Sequence, residues 1–326
     1  MSSLWPAAGF ALLVGVASPI ATAENPLDAD RAMGYLEQVC EIGPRMSGSD
    51  GMRQQIALLT EHFESLGGEL EEQNFPARHP LNGTRVEMTN LIVRYRPDVR
   101  RRILICCHYD TRPLPDRDPN PEARRNGTFI GANDGGSGVA VLMELAHLMP
   151  QLTGGIGVDL VMFDGEELVY RDSSMFGRRG DPYFLGSKYF ARAYKARKKK
   201  YAYQWGVLLD MVGDADLRLR YDRSSWNWRD TRPLVKQIWA TAEKLGVDEF
   251  QPRLMSRIVQ DDHLPLHNEG GIRCIDIIDF DYPYWHTEQD VPANCSGESL
   301  AKVGWVVWEW LRGLDAKYAP KSGGSR

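Results

Sequence analysis

Apolar residues recur at helical spacing over positions 28–40 and again over 51–66, with the turn-rich stretch GPRMSGSDG between them. Two runs of strand length follow, VEMTNLIVRY at 86–95 and RILICC at 102–107. Beyond them the chain alternates. GVAVLMELAHL at 138–148 reads as a helix, VDLVMF at 158–163 as a strand, 187–196 as a helix and GVLLDM at 206–211 as a strand. A helix at 231–245, a strand at 274–280 and a closing helix at 300–314 complete the pattern. Several strands are apolar on both faces, as a sheet covered by helices on both sides requires. The pattern predicts a three-layer α/β/α sandwich with a central mixed, largely parallel sheet, in a single domain over residues 24–326. Two long segments, 112–129 and 170–185, are rich in Pro, Gly, Asp and Arg. Loops of that length are uncommon unless they build a site.

Composition changes this picture little. Of 326 residues, 43% are hydrophobic and 25% charged, enough for a sizeable core. The formal net charge of −5 gives no reason to expect a nucleic acid as partner. The basic run RKKK at 197–200 reads as a solvated helix end. Near the N-terminus an apolar stretch at 10–17 precedes Ala21-Thr22-Ala23, a small-residue cleavage pattern. The stretch is shorter than the ~20 apolar residues of a membrane span. Residues 1–23 are therefore expected to be a removed export signal, although no Lys or Arg precedes the stretch. The mature chain is expected to be secreted or periplasmic, with no stable membrane span. Five cysteines are an odd number, none spaced as C-x-x-C, and Cys106 and Cys107 point to opposite faces of one strand. Buried free thiols are the expectation, with one disulfide left open.

The candidate chemistry collects just past the apolar runs. RILICC is followed by His108-Tyr109-Asp110, and the run at 128–130 leads into GANDGGSG, with Asp134. VDLVMF is followed by DGEE, which holds Asp164, Glu166 and Glu167; GVLL by Asp210; and CIDIIDF by DYPYWHTEQD, with His286. In open α/β sheets, ligands bind beyond the carboxyl ends of the strands. Singly, each residue has a plain explanation as a core histidine, an N-cap, a turn acid or an exposed loop residue. Five strand ends delivering them to one edge of one sheet point instead to a metal site. Imidazole plus carboxylate without thiolate suits catalytic Zn²⁺, which takes three protein ligands and keeps one position open. Calcium would want more oxygens and no imidazole. One glutamate of DGEE can then bind the metal while its neighbour serves as general base, the cation offsetting their repulsion. GANDGGSG matches neither GxGxxG nor GxxxxGK[ST], and its acid would repel phosphate.

Together HYD, GANDGGSGVAVLMELA, FDGEE, LLDMVGD and YWHT, in this order, resemble the zinc-dependent exopeptidases of the M28 metallopeptidase family over about residues 32–314. The resemblance implies the zinc exopeptidase fold and one of two chemistries. The family's aminopeptidases carry two zinc ions and hydrolyse N-terminal peptide bonds. Its animal-type glutaminyl-peptide cyclotransferases (glutaminyl cyclases) carry one, and convert N-terminal glutamine to pyroglutamate with release of ammonia. Gln260-Asp261-Asp262-His263-Leu264-Pro265 and the Trp285 that precedes His286 resemble the cyclotransferases. Carried over by motif, Asp134, Glu167 and His286 would hold a single Zn²⁺, and Glu166 would be the general acid/base. Asp261 and Asp210 would form a hydrogen-bonded carboxylate network that positions the substrate and tunes Glu166. Trp285 would wall the substrate pocket, with Gln260 and Tyr170 as further substrate contacts. In the aminopeptidase alternative, His108, Asp134 and Asp210 would surround a second zinc. Either reading takes peptide or protein N-termini as substrate, and a monomer is expected. The chain departs from the animal cyclotransferases at 168–172, LVYRD, where they carry a tryptophan and Tyr170 is the nearest aromatic, and at Asp276 and Asp279. Both departures bear on the pocket more than on the metal.

Overall fold

Asp28 and Ser49 start the first two helices, α1 (Ala29–Glu41) and α2 (Asp50–Ser65), by accepting the N–H groups of Arg31 and Met52. In the computed structural model, which describes residues 24–171, 180–197 and 200–320, these helices lead into the sheet. The expected export signal at 1–23, half of the basic run at 197–200 and the middle of the loop at 170–185 lie outside the described residues.

The strands are β1 (Glu69–Arg78), β2 (Arg85–Tyr95), β3 (Arg101–His108), β4 (Gly157–Phe163) and β5 (Ala202–Asp210), with β6 (Leu219–Tyr221), β7 (Phe250–Leu254) and β8 (Cys274–Ile278) following. Six of them form one sheet in the order β1-β2-β4-β3-β5-β8. The four strands β4, β3, β5 and β8 run parallel, whereas β2 pairs antiparallel with β4 and β1 antiparallel with β2. The expected mixed, largely parallel sheet is therefore present. Strands β6 and β7 form a separate two-stranded sheet.

Alternation along β3 shows how the layers are held. Ile103, Ile105 and Cys107 enter a core shared with α1, with α3 (Ser137–Ala146) and with the last helix, Gly297–Tyr318. Leu104 and Cys106 enter a second core against Phe190 and Ala191, from the helix Leu185–Ala196, and Leu266, from the short helix His263–Asn268. Each of these β3 side chains is wholly buried. For the leucine and isoleucines that burial is worth roughly 1.5–3 kcal/mol apiece. The five cysteines are free thiols, and four are buried.

Two features differ from expectation. β1 is a strand although ELEEQNFPAR shows no apolar alternation, because it is an edge strand, largely exposed, where charge and a proline are tolerated. And residues 128–130 form no strand. Asp134 therefore comes from a kinked turn ahead of α3 rather than from a strand end. No helix among the described residues is long and apolar enough to cross a membrane.

Candidate active site

The parallel pairing places the carboxyl ends of β3, β4, β5 and β8 along one edge: His108 lies opposite Phe163, and Asp210 opposite Ile278. The chain then turns sharply at two glycines. Gly135 has φ +83°, and a Cβ there would stand 2.9 Å from His108 Cε1, so only glycine lets Asp134 approach that ring. Gly165 has φ +75° and splits DGEE into two functions. Before it, Asp164 is structural, accepting from the Ser47 hydroxyl and the Thr89 N–H. After it, the N–H groups of Glu166 and Glu167 donate to the two oxygens of Asp110 at 3.1 and 3.0 Å. Asp290 does the same for the other loop, accepting from the N–H of Asn133 at 2.7 Å and of Asp134 at 3.1 Å. His286 has φ +58°, a strained value for a residue with a side chain.

These devices gather two triads around Asp134. Asp134, Glu167 and His286 bring ligand atoms within 4.8 Å of one another, and so do His108, Asp134 and Asp210. His286 Nε2 lies 3.4 Å from Asp134 Oδ2 and 3.6 Å from Glu167 Oε1; His108 Nε2 lies 3.1 Å from Asp134 Oδ1 and 3.2 Å from Asp210 Oδ1. All five residues are buried. Arg112, also buried, donates to both oxygens of Glu167 and to Asp116, and Asp116 stands 3.0 Å from His286 Nδ1. Position 112 was not singled out from the sequence; an arginine in a long loop after a strand gives no signal until the loop folds back.

Electrostatics separate the two glutamates. Burial pushes Glu166 up, the Glu167 charge beside it adds to this, and its carboxyl stands well above the usual range. Burial acts on Glu167 too, but Arg112 and His286 outweigh it and hold this carboxyl well below the usual range. Burial and the Arg112 charge work against a proton on His286, yet Glu167, Asp116 and Asp134 raise it to about 10. The triad thus attracts positive charge at its centre. Burial also raises Asp261 well above the usual range, with Asp210 and Asp262 contributing, and raises Asp210 against the opposing His108.

A cavity of about 390 Å³ opens onto this edge and is lined by Asp134, Glu166, Glu167, Asp210, Asp261 and His286. Trp285 and Gln260 line it as well, together with Tyr183, Phe184 and Phe280, which the sequence reading missed. Tyr170 does not line it. That ring belongs to a separate cavity of about 550 Å³ beside α2, which contains neither His286 nor Glu166. The hydrogen-bonded Asp210–Asp261 network is also not formed. Asp210 lies against His108, and Asp261 accepts its own neighbour's N–H, from Asp262 at 2.5 Å. The two acids act on each other through charge alone. Asp276 is buried beside His263, whose other ring nitrogen faces Asp222, and Asp279 accepts the N–H groups of Arg218 and Asp281. Neither Asp276 nor Asp279 lines the cavity.

Comparison with known proteins agrees with this geometry. The sequence profile of peptidase family M28 matches residues 90–311. The crystal structure of Fimbriiglobus ruber glutaminyl cyclase superposes with a TM-score of 0.83 at 40% identity, over 91% of this chain and 99% of that one. Porphyromonas gingivalis glutaminyl cyclase superposes with a TM-score of 0.80 at 33% identity, over 89% and 100%. A glutaminyl-peptide cyclotransferase of Drosophila melanogaster is 24% identical over 267 residues, spanning 76% of this chain and 70% of its own length. With one sheet edge, one ligand set and matches of this extent, the chain belongs to peptidase family M28.

Proposed function

We propose that this chain is a zinc-dependent glutaminyl-peptide cyclotransferase, which converts the N-terminal glutamine of peptides or proteins to pyroglutamate and releases ammonia. The observation that carries the reading is the placing of Glu166, held above its usual range, beside the Asp134–Glu167–His286 triad in a cavity walled by Trp285. The likeness to glutaminyl cyclases supports it.

The triad fits zinc. It offers one imidazole and two carboxylates, all buried, and Asp134 Oδ2 has no hydrogen-bond partner. Asp134, Glu167 and His286 would hold one ion. The chemistry a bound zinc supplies is polarisation of the γ-carboxamide carbonyl. The rest falls to the chain. The α-amine nitrogen bonds to the side-chain carbonyl carbon, Glu166 takes a proton from that nitrogen, and the carbon–nitrogen bond of the carboxamide then breaks. Glu166 returns the proton to the departing nitrogen, which leaves as ammonia. A carboxyl held above its ordinary range suits both transfers. Nucleophile and electrophile belong to one residue, so the walls need only hold it folded and exclude water, which would otherwise hydrolyse the amide. Trp285 and Phe280, ring centroids 4.8 Å apart, form one such wall of the cavity.

One observation favours a second reading. The His108–Asp134–Asp210 triad could hold another cation, and a dinuclear site would suit aminopeptidase hydrolysis. A paired assay separates the two. A Gln-initiated peptide that loses ammonia by mass spectrometry, with a leucine anilide left intact, supports the cyclotransferase; anilide cleavage without cyclisation overturns it. Export after removal of residues 1–23, and action as a monomer, belong to the same proposal and are read by N-terminal sequencing and light scattering.

A further inference from the structure

The floor of the cavity is acidic, but its mouth is not. Arg257 and Arg117 both line it and both are exposed. The Arg117 guanidinium carbon stands 4.3 Å from the Trp285 ring centroid, and that of Arg257 stands 5.9 Å from the Phe280 ring centroid. Trp285 and Phe280 are the contiguous pair that forms the wall, so the two guanidiniums flank one aromatic surface. No carboxylate among the described residues pairs with Arg257. Next to it Ile258 is 73% exposed, the most exposed large apolar side chain among the described residues. Glu166, Trp285, Arg257 and Ile258 line the same cavity, so residues that follow an N-terminal glutamine seated against Glu166 and Trp285 would have Arg257 and Ile258 within the same lining.

We propose that the mouth selects peptides with an acidic side chain at the second position after the N-terminal glutamine, Arg257 being the specificity-determining residue. The proposal rests on the cyclotransferase reading. The Phe280 ring beside the Arg257 guanidinium limits its freedom on one side, which lowers the entropy lost when it meets a carboxylate. Because the site is exposed, the effect is modest and sensitive to salt.

The test uses the full-length mature protein and a peptide series, Gln-Ala-Xaa-Ala, with Asp, Ala or Lys at Xaa. At low ionic strength kcat/KM should run Asp over Ala over Lys, with Asp about two- to fivefold above Ala, and the spread should shrink as salt is raised. Arg257→Glu should invert the order. Equal kcat/KM for the three peptides at low salt overturns this inference while leaving the cyclotransferase intact. Failure to cyclise any of them overturns the parent reading instead. Should the variant fail to fold, the salt dependence of the wild-type series still decides.

Discussion

One guanidinium nitrogen of Arg112 lies 2.9 Å from each carboxylate oxygen of Glu167. The same side chain grips Asp116, which faces His286. Arg112 therefore orients two of the three proposed ligands from behind, without lining the cavity. Replacing it by Met should weaken zinc binding about 10- to 100-fold, the usual effect of removing such a support. Lys, which lacks the planar fork, should recover only part of the loss. Competition with a chromophoric chelator measures both; unchanged affinity in Arg112→Met would show that Glu167 needs no support.

The neighbouring glutamates should fail in different ways. Glu166→Gln is expected to keep its zinc and lose about 10²- to 10⁴-fold in kcat, the range for a general acid/base. Glu167→Gln should lose the metal itself. Metal analysis beside turnover distinguishes them, and near-full activity in Glu166→Gln would refute the assignment.

Removing the metal should abolish cyclisation, and zinc should restore it at one equivalent per chain. Asp210→Asn, which weakens the second triad only, should leave that stoichiometry unchanged. Two equivalents in the wild type, falling to one in the variant, would favour the dinuclear reading.

Stability should carry a pH signature remote from the metal. Burial pushes Asp279 up to about 6; the N–H donors of Arg218 and Asp281 oppose this, and the charges of Asp214 and Asp281 add to it. Its folded value thus lies above its unfolded one of about 3.9. The proton is held more tightly in the folded chain, so this contribution is complete below about pH 4 and is lost as pH rises through about 6. Two units correspond to about 3 kcal/mol. Asp279→Asn cannot ionise. Relative to the wild type, its melting temperature should rise between pH 4 and 7, on top of a constant loss because an amide accepts at only one oxygen. A pH-independent difference would exclude the effect.

Much of this protein was legible in its sequence because the signals were local. Strands such as RILICC and VDLVMF are apolar on both faces, and that alone implies helices above and below. The first two helices follow from apolar spacing over 28–40 and 51–66, a pattern that repeats every three or four residues. The short motifs that follow the apolar runs named Asp134, Glu166, Glu167, Asp210 and His286, and these residues line one cavity. Edge strand β1 escaped because an exposed edge strand carries no apolar alternation.

What folding alone decided were relationships between distant positions. The resemblance points to Tyr170 as the aromatic nearest to the tryptophan position of the animal cyclotransferases, yet the backbone after Gly165 carries it to another cavity, and Tyr183 and Phe184 line the site instead. Arg112 meets Glu167 across 55 positions, and Asp290 fixes the Asp134 turn across 156. Even the division of labour within DGEE depends on which glutamate an arginine from another loop happens to neutralise. Charge and burial act through space, and a sequence records order along the chain, so residue types could be read in advance but not their partners.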